Sequence, residues 1–440
     1  MENARLIVEG TLLRREGGLP FFWLADTVWE LFHRYTPADA DRYLKTRADQ
    51  HFTVIQAVLL AEEDGLRVPD RLGNLPFENL ESLHPNEAYW QNVDRVVRYA
   101  NSLGLVMALV ATWGDKVSTE WGIGPKIFNP ENARLYGRWV GARYRHDDVV
   151  WIIGGDRNIK KPEDLDIWRA MACGIRESVG DTKLLTFHPG GAQSSATFVH
   201  DEPWLDFNML QSGHCGRDNA NWSLITRDLG LWPRKPVLDG EPNYEDHPVM
   251  ASFDGLYVRS GDYFGAFDIR KAFYRSVLSG ACGFTYGCHS VWQGWDAATF
   301  APINEPLHPS MESLEIEGAR QMTFGRTLAE WLLARGGVQA NHGLLLDYSF
   351  PPNRHPVACS FDGGVAVYTP VRQIVRLRSH VLGREADTLK AFWFNPTNGI
   401  LAPAEQKDQT PSTIDYLSPE SGDRVLILCE PGLEASLVNG

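Results

Sequence analysis

No stretch of the 440-residue chain approaches 18 consecutive uncharged apolar residues, so no membrane-spanning helix is expected. The opening residues, MENARLIVEGTLLRREGG, carry charges at Glu2, Arg5, Glu9, Arg14, Arg15 and Glu16, and lack an apolar segment with a small-residue cleavage site. They do not read as a signal peptide, and a cytoplasmic location is expected; a secreted chain trimmed of its leader would look the same. None of the six cysteines (Cys173, Cys215, Cys282, Cys288, Cys359, Cys429) forms a CxxC pair. That argues against a zinc ribbon or a thioredoxin-type site and for reduced, mostly buried thiols. Positive charge is also short: 42 Lys and Arg stand against 56 Asp and Glu, a net −14, so there is no basic footprint for nucleic acid. Low-complexity tracts are absent, and 43% hydrophobic with 22% charged residues excludes a disordered or collagen-like chain. What the chain has in excess is aromatic: 15 Trp, 14 Tyr and 20 Phe, 11% of its residues. Aromatics fill cores or line sites, and composition does not say which.

Position says more. Eight short runs rich in β-branched and aromatic residues recur along the chain: Pro20–Ala25, Phe52–Leu60, Leu105–Thr112, Val149–Gly154, Lys183–Phe187, Asp206–Gln211, Pro236–Leu238 and Gly283–Tyr286. Most are followed by a helical pattern with its own start signal, such as Thr36-Pro37, Asn129-Pro130 or Pro162. Ala192–Val199 and Trp222–Leu229 are short and poorly periodic, and a last amphipathic helix is expected over Ser310 to Ala334. Eight β-α units over about 330 residues predict an α/β fold, a (β/α)8 TIM barrel. An open doubly wound sheet would want a GxGxxG after its first strand, where ADTVW stands instead. After Gly336 the texture changes to short strands parted by Gly, Pro and Asp turns: VACSFDGGVAVYTP, QIVRLRSHVLG, TLKAFWFNP and DRVLILCEP. The expected organisation is therefore a catalytic barrel over 1–336 and a small all-β sandwich over 337–440 that covers the base of the barrel.

Barrel chemistry sits where the strands end. The residues just past the eight strands are Asp26 and Trp29; Glu62, Glu63 and Asp64; Trp113 and Asp115; Asp156, Arg157 and Asn158; His188; Gln211 and His214; Glu241, Tyr244 and Glu245; His289, Trp292 and Trp295. Paired carboxylates can cleave a glycosidic bond, one protonating the leaving oxygen while the other attacks the anomeric carbon or activates water. Tryptophan faces stack on the C–H faces of sugar rings, and Asn, Gln, His and carboxylates bond the hydroxyls. Asp156 and Glu241 end strands four and seven, on opposite sides of the barrel mouth, each after a glycine that permits close approach. They are the candidate catalytic pair. Asp26, Trp29, Trp113, Asn158, His188, Gln211, His214, Tyr244, His289 and Trp292 are the candidate sugar-binding set. Four members have competing readings: Asp26 as a partner of Arg157 or a helix cap, and His188, His214 and His289 as metal ligands. The Glu62–Asp64 run reads as a solvated loop.

The segments PFFWLADTVWELFHR, FTVIQAVLLAEEDG, ATWGD, WIIGGDRN, GEPNYE and YGCHSVWQG, in this order, resemble the apiosidase-like family of glycoside hydrolases. The resemblance runs from about Leu6 to Gly336 and extends to a C-terminal β-module, sometimes labelled collagen-binding, that members commonly carry. It implies a retaining, exo-acting glycosidase of barrel fold, with Asp156 as acid/base and Glu241 as nucleophile, releasing a terminal apiose-like pentose from a plant-derived oligosaccharide or glycoside. It implies a carbohydrate substrate and no cofactor. The broader clan of retaining barrel glycosidases usually has Asn-Glu at the end of strand four, where this chain has Gly-Asp. Three other readings remain: the same fold with another sugar specificity, such as a cellulase-like endoglucanase; a carbohydrate-binding protein without catalysis; and a metal-dependent hydrolase using His188, His214 and His289. Against the last, no HxH marks strand one and no HExxH occurs. Oligomeric state is not readable.

Overall fold

The computed structural model describes residues 4–253, 256–346, 350–379, 388–419 and 422–438. Its centre is a ring of eight parallel strands: β1 (Trp23–Thr27), β2 (Val54–Val58), β3 (Val106–Val110), β4 (Val149–Gly154), β5 (Leu185–His188), β6 (Asn208–Gln211), β7 (Val237–Asp239) and β8 (Gly283–Gly287). Hydrogen-bonded order runs β6-β7-β8-β1-β2-β3-β4-β5. Between β5 and β6 the ring is tied by the Asp206 N–H on the Leu185 carbonyl (2.9 Å) and the Thr186 hydroxyl on the Phe207 carbonyl (2.7 Å). This is the expected TIM barrel.

Eight helices follow the strands: α1 (Pro37–Asp49), α2 (Glu87–Ser102), α3 (Pro130–Arg143), α4 (Pro162–Val179), α5 (Ala196–Val199), α6 (Asn221–Leu229), α7 (Ala266–Leu278) and α8 (Glu317–Leu333). Their starts are chemically set. The Thr36 side chain accepts the Asp39 N–H, and Asn129 accepts those of Glu131 and Asn132, so orphan donors of the first turn are satisfied. The weakly patterned fifth helix is a single turn. The last helix starts seven residues later than its pattern suggests, because Ser313–Glu315 form a 3-10 turn and the Glu245 carboxylate receives the Gly318 N–H at 2.9 Å.

Along each strand, side chains alternate between two apolar layers. Trp23, Ala25, Val54, Val58, Val106, Ala108, Val110, Val150 and Ile152 fill the barrel, while Leu24, Ile55, Ala57, Met107, Leu109, Trp151 and Ile153 face the helices. Both faces being buried, the strands read as continuous apolar runs. A hairpin the sequence did not announce, Leu6–Glu9 with Leu12–Arg15, sends Leu6 and Leu13 into the inner layer beside Leu184 and Cys282, which precede β5 and β8, and so closes the base. A second unannounced hairpin, Pro248–Phe253 with Leu256–Tyr263, lies in the long loop after β7; residues 254–255 are outside the described part.

Beyond α8 stand a six-stranded sheet (Gln339–Ala340, Val357–Phe361, Gly364–Thr369, Arg424–Cys429, Lys390–Phe394, Leu401–Pro403) and a three-stranded one (Ile374–Arg378, Thr413–Leu417, Gln406–Gln409). Residues 380–383 of the run expected as one of these strands lie outside the described residues. In Arg424–Cys429, Leu426 and Leu428 face the smaller sheet, while Val425, Ile427 and Cys429 belong to the same apolar cluster as Phe273, Tyr274 and Trp331 of α7 and α8. Arg270 of α7 pairs with Asp423 at 2.9 Å, and Tyr274 stacks on Tyr368 at 5.3 Å. The β-module therefore covers the flank formed by α7 and α8. The expectation that it covers the base is corrected: the N-terminal hairpin occupies that place. All six cysteines are free, Cys173 and Cys215 exposed and four buried. No helix among the described residues is long and apolar enough to cross a membrane.

Candidate active site

At the C-terminal end of the barrel lies a cavity of about 200 Å³, lined by Trp29, Glu62, Glu63, Trp113, Asp156, His214, Glu241, Tyr244, His247, Trp292, Ile303 and Asn304. Its floor is aromatic. Trp29, Trp113, Tyr244 and Trp292 cap the barrel's inner layer, with Trp29 and Trp113 5.0 Å apart. Both candidate catalytic carboxyls open into this one space.

Asp156 reaches it through unusual backbone. Gly154, the last residue of β4, and Gly155 and Asp156 after it have φ of +97°, +118° and +48°. A side chain at Gly154 would meet the His188 carbonyl at 2.5 Å, and one at Gly155 would meet the Gly114 nitrogen at 3.0 Å. Two glycines and an aspartate, one of the side chains that tolerates the left-handed region, are what this turn requires. The Asp156 side chain stays 24% exposed and accepts the Trp121 indole N–H at 2.9 Å. Burial and the nearby Glu241 charge push its carboxyl up to about 6, against the pull of His188 and Arg157.

Glu241 lies at the end of β7, where Gly240 packs so closely that a Cβ would stand 2.6 Å from Met209. Its two oxygens are held from two sides: Oε2 lies 2.9 Å from His188 Nε2 and Oε1 3.0 Å from His214 Nε2. Burial works to raise Glu241, but the two histidine N–H groups overcome it and hold the carboxyl down to about 2. The His188 tautomer follows from its other nitrogen. Nδ1 faces the Asp156 backbone N–H at 3.1 Å, which can only donate, so the ring proton is on Nε2, the nitrogen that lies beside Glu241 Oε2. One imidazole thus spans β4, β5 and β7 and ties the two carboxylate strands together.

The other candidates divide. Trp29, Trp113, His214, Tyr244 and Trp292 line the cavity. His289 stands behind Trp292: its Nδ1 accepts the Trp292 indole N–H at 3.1 Å, and Nε2 donates to the Ile303 and Asn304 carbonyls. Burial lowers this imidazole to about 3. Asn158 accepts the Gly190 N–H at 3.0 Å, tying the loops after β4 and β5, and Gln211 is buried outside the lining. Trp295 borders a separate hollow with Arg34, Tyr35 and Arg71. Asp26 is a correction. It alternates with the inward Ala25, so it faces the helix layer, where it is fully buried against Arg47 (2.5 Å) and the Tyr43 hydroxyl (2.8 Å) of α1. It pairs with Arg47, not Arg157, and does not reach the cavity.

Sequence reasoning missed four groups. Glu62 and Glu63 line the cavity although their run reads as a solvated loop; burial and neighbouring carboxylates raise both, Glu62 strongly. His247 stacks on His214 at 4.6 Å and is held well below its usual range by burial and the adjacent histidines. Trp121 lies on the loop after β3, eight residues beyond Trp113, and no local pattern marks it. The buried Trp113 Nε1 and His214 Nδ1 have no protein partner among the described residues, which leaves them for hydroxyls of a bound molecule. Among the described residues no group of three or more His, Cys, Asp or Glu side chains is arranged to hold a metal ion. His188 Nδ1 and both nitrogens of His289 are taken by Trp292 and main-chain groups.

Residues 8–333 match the family described as "Apiosidase-like, catalytic domain". A solved glycoside hydrolase superposes with TM-score 0.85 at 26% identity, covering 98% of this chain and 97% of the other. A glycoside hydrolase family 5 structure from Bacteroides vulgatus superposes with TM-score 0.86 at 25% identity, covering 97% and 93%. Human mitochondrial methionine–tRNA ligase is 28% identical over 139 residues, 30% of this chain; the chain spans 23% of that protein's length. The fold, the carboxylate-bearing aromatic cavity and the family match agree: this chain is a glycoside hydrolase belonging to the apiosidase-like family.

Proposed function

We propose that the protein is an exo-acting, retaining glycosidase with Asp156 as acid/base and Glu241 as nucleophile, and that a terminal apiose-like pentose is the sugar released. The observation that carries this reading is the divergence of two carboxyls in one cavity, Asp156 raised to about 6 and Glu241 lowered to about 2. Environments that drive two acids apart assign the proton donor and the anion. Asp156 gives its proton to the glycosidic oxygen while ionised Glu241 attacks the anomeric carbon, forming a glycosyl ester on Glu241. Esterification removes the charge that helped keep Asp156 protonated, so Asp156 turns base and draws a proton from the water that cleaves the ester. His188 and His214 aim the nucleophile. The cavity, at about 200 Å³, is smaller than the ~300–1,000 Å³ of drug-sized sites, which suits one sugar ring and supports cleavage at a chain end.

A panel of 4-nitrophenyl glycosides that includes the β-D-apiofuranoside tests the reading, with Glu241→Gln as control. Turnover by the wild type, none by Glu241→Gln, and a first-formed product of unchanged anomeric configuration are expected. Inverted product would remove the nucleophile role, and equal turnover by both proteins would remove Glu241 from the reaction.

A further inference from the structure

The cavity holds one ring, yet a glycoside has two parts. A general acid hands its proton to the bridging oxygen, so the departing part lies against the acid, outside the cavity. Beside Asp156 on that side stands Trp121, whose indole N–H bonds Asp156 Oδ2 at 2.9 Å and whose residue is 41% exposed. The Arg157 guanidinium lies 4.0 Å from the indole centroid and covers one face. Among the described residues no second ring or cation packs on it.

The loop holds the indole in place. The Arg157 guanidinium also donates to the Trp121 carbonyl, and the Gly124 N–H bonds Asp115 at 2.8 Å. Asp115 pairs with buried Lys116, and Gly122 lies so close that a Cβ there would stand 2.7 Å from Asp115. A large exposed aromatic fixed this firmly is a binding surface whose ordering cost is already met.

We infer that Trp121 is the platform of a leaving-group subsite, stacking a flat, C–H-faced or aromatic ring of the aglycone beside Asp156. The subsite rests on the glycosidase reading above and adds to it a second recognised group. The indole N–H also couples the platform to the acid, because that bond favours ionised Asp156, which Glu241, His188, Arg157 and Glu62 also surround.

The test compares three glycosides of the sugar cleaved in the panel: the methyl glycoside, the glucose-linked disaccharide and the 4-nitrophenyl glycoside. Methyl and glucosyl leaving groups both need the acid, but only one is a ring. Trp121→Ala should lower the kcat/KM ratio of a ring-bearing substrate to the methyl glycoside by about tenfold. Trp121→Phe keeps a ring without the N–H; it should retain most of that ratio and move the alkaline limb of the pH profile upward. Loss confined to the disaccharide assigns the platform to a sugar, and loss confined to the 4-nitrophenyl glycoside assigns it to an aromatic aglycone. Equal losses on all three substrates in Trp121→Ala overturn the subsite while leaving the glycosidase standing. A wild type that cleaves nothing in the panel overturns both.

Discussion

Asp156 and Asp26 are both aspartates at the end of a barrel strand, and only backbone geometry separates them. Asp156 follows two glycines of positive φ and turns into the cavity; Asp26 keeps the pleat and turns outward to Arg47. Removing one partner of a buried pair leaves a desolvated charge. Asp26→Asn should therefore cost about 3–5 kcal/mol of stability, seen as a lowered denaturation midpoint, with KM unchanged. An altered KM without destabilisation would return Asp26 to the sugar site. Asp156 predicts the pH profile. The reaction needs Asp156 protonated and Glu241 ionised, so kcat/KM should fall as pH rises through about 6 and hold on the acid side toward about 2, where Glu241 protonates. Asp156→Asn should remove the alkaline limb. It should lower turnover of alkyl glycosides by about 10²–10⁴-fold and of 4-nitrophenyl glycosides far less.

At the scale of elements, the cavity depends on how loops are fastened to the barrel. The loop after β2 carries Glu62 and Glu63. It is held by Glu30, which accepts the Glu63 N–H at 3.1 Å and pairs with His33 at 2.7 Å. The other His33 nitrogen faces the Val68 carbonyl at 3.1 Å, so both nitrogens meet acceptors and the ring is cationic. Burial works against that charge, but Glu30 outweighs it and raises His33; burial likewise opposes Glu30, and His33 and Arg34 lower it. A raised histidine adds stability that is fully present below its unfolded value near 6.5 and is lost as pH climbs through the folded value. The denaturation midpoint of His33→Gln should thus lie furthest below wild type near pH 6 and approach it toward pH 9. A gap that widens with pH would contradict the charged pair.

At the scale of the whole molecule, barrel and β-module share one apolar cluster and a buried ion pair, Arg270 with Asp423. Helices α7 and α8 are hydrophobic on two sides, toward the barrel and toward the six-stranded sheet, so neither part is complete without the other. One cooperative thermal transition is expected by calorimetry. Asp423→Ala should lower it as a whole, by about 3–5 kcal/mol, because Arg270 is left buried with Gln321 as a neutral partner and no counter-charge. Two separate transitions, with only one moved by the substitution, would show that the module folds alone.

Local pattern was enough for the eight strand runs, the capped helices α1 and α3, the proline-started α4, the change of texture after Gly336 and the motifs that carry Asp156 and Glu241. Burial period, cap chemistry and turn glycines act over a few residues, so the sequence by itself determined them. The TIM barrel topology then put the strand-end residues on one face, which is why Trp29, Trp113, Tyr244 and Trp292 were legible as one surface. Tertiary structure alone decided the rest: which face Asp26 turns to, that Glu62 and Glu63 enter the cavity, that His188 lies against Glu241, and that Trp121 reaches Asp156. Each of these depends on two segments distant in sequence meeting in space, and the protonation states of Asp156 and Glu241 depend on all of them at once. An acid's charge is set by what surrounds it, and that is fixed only when the barrel closes.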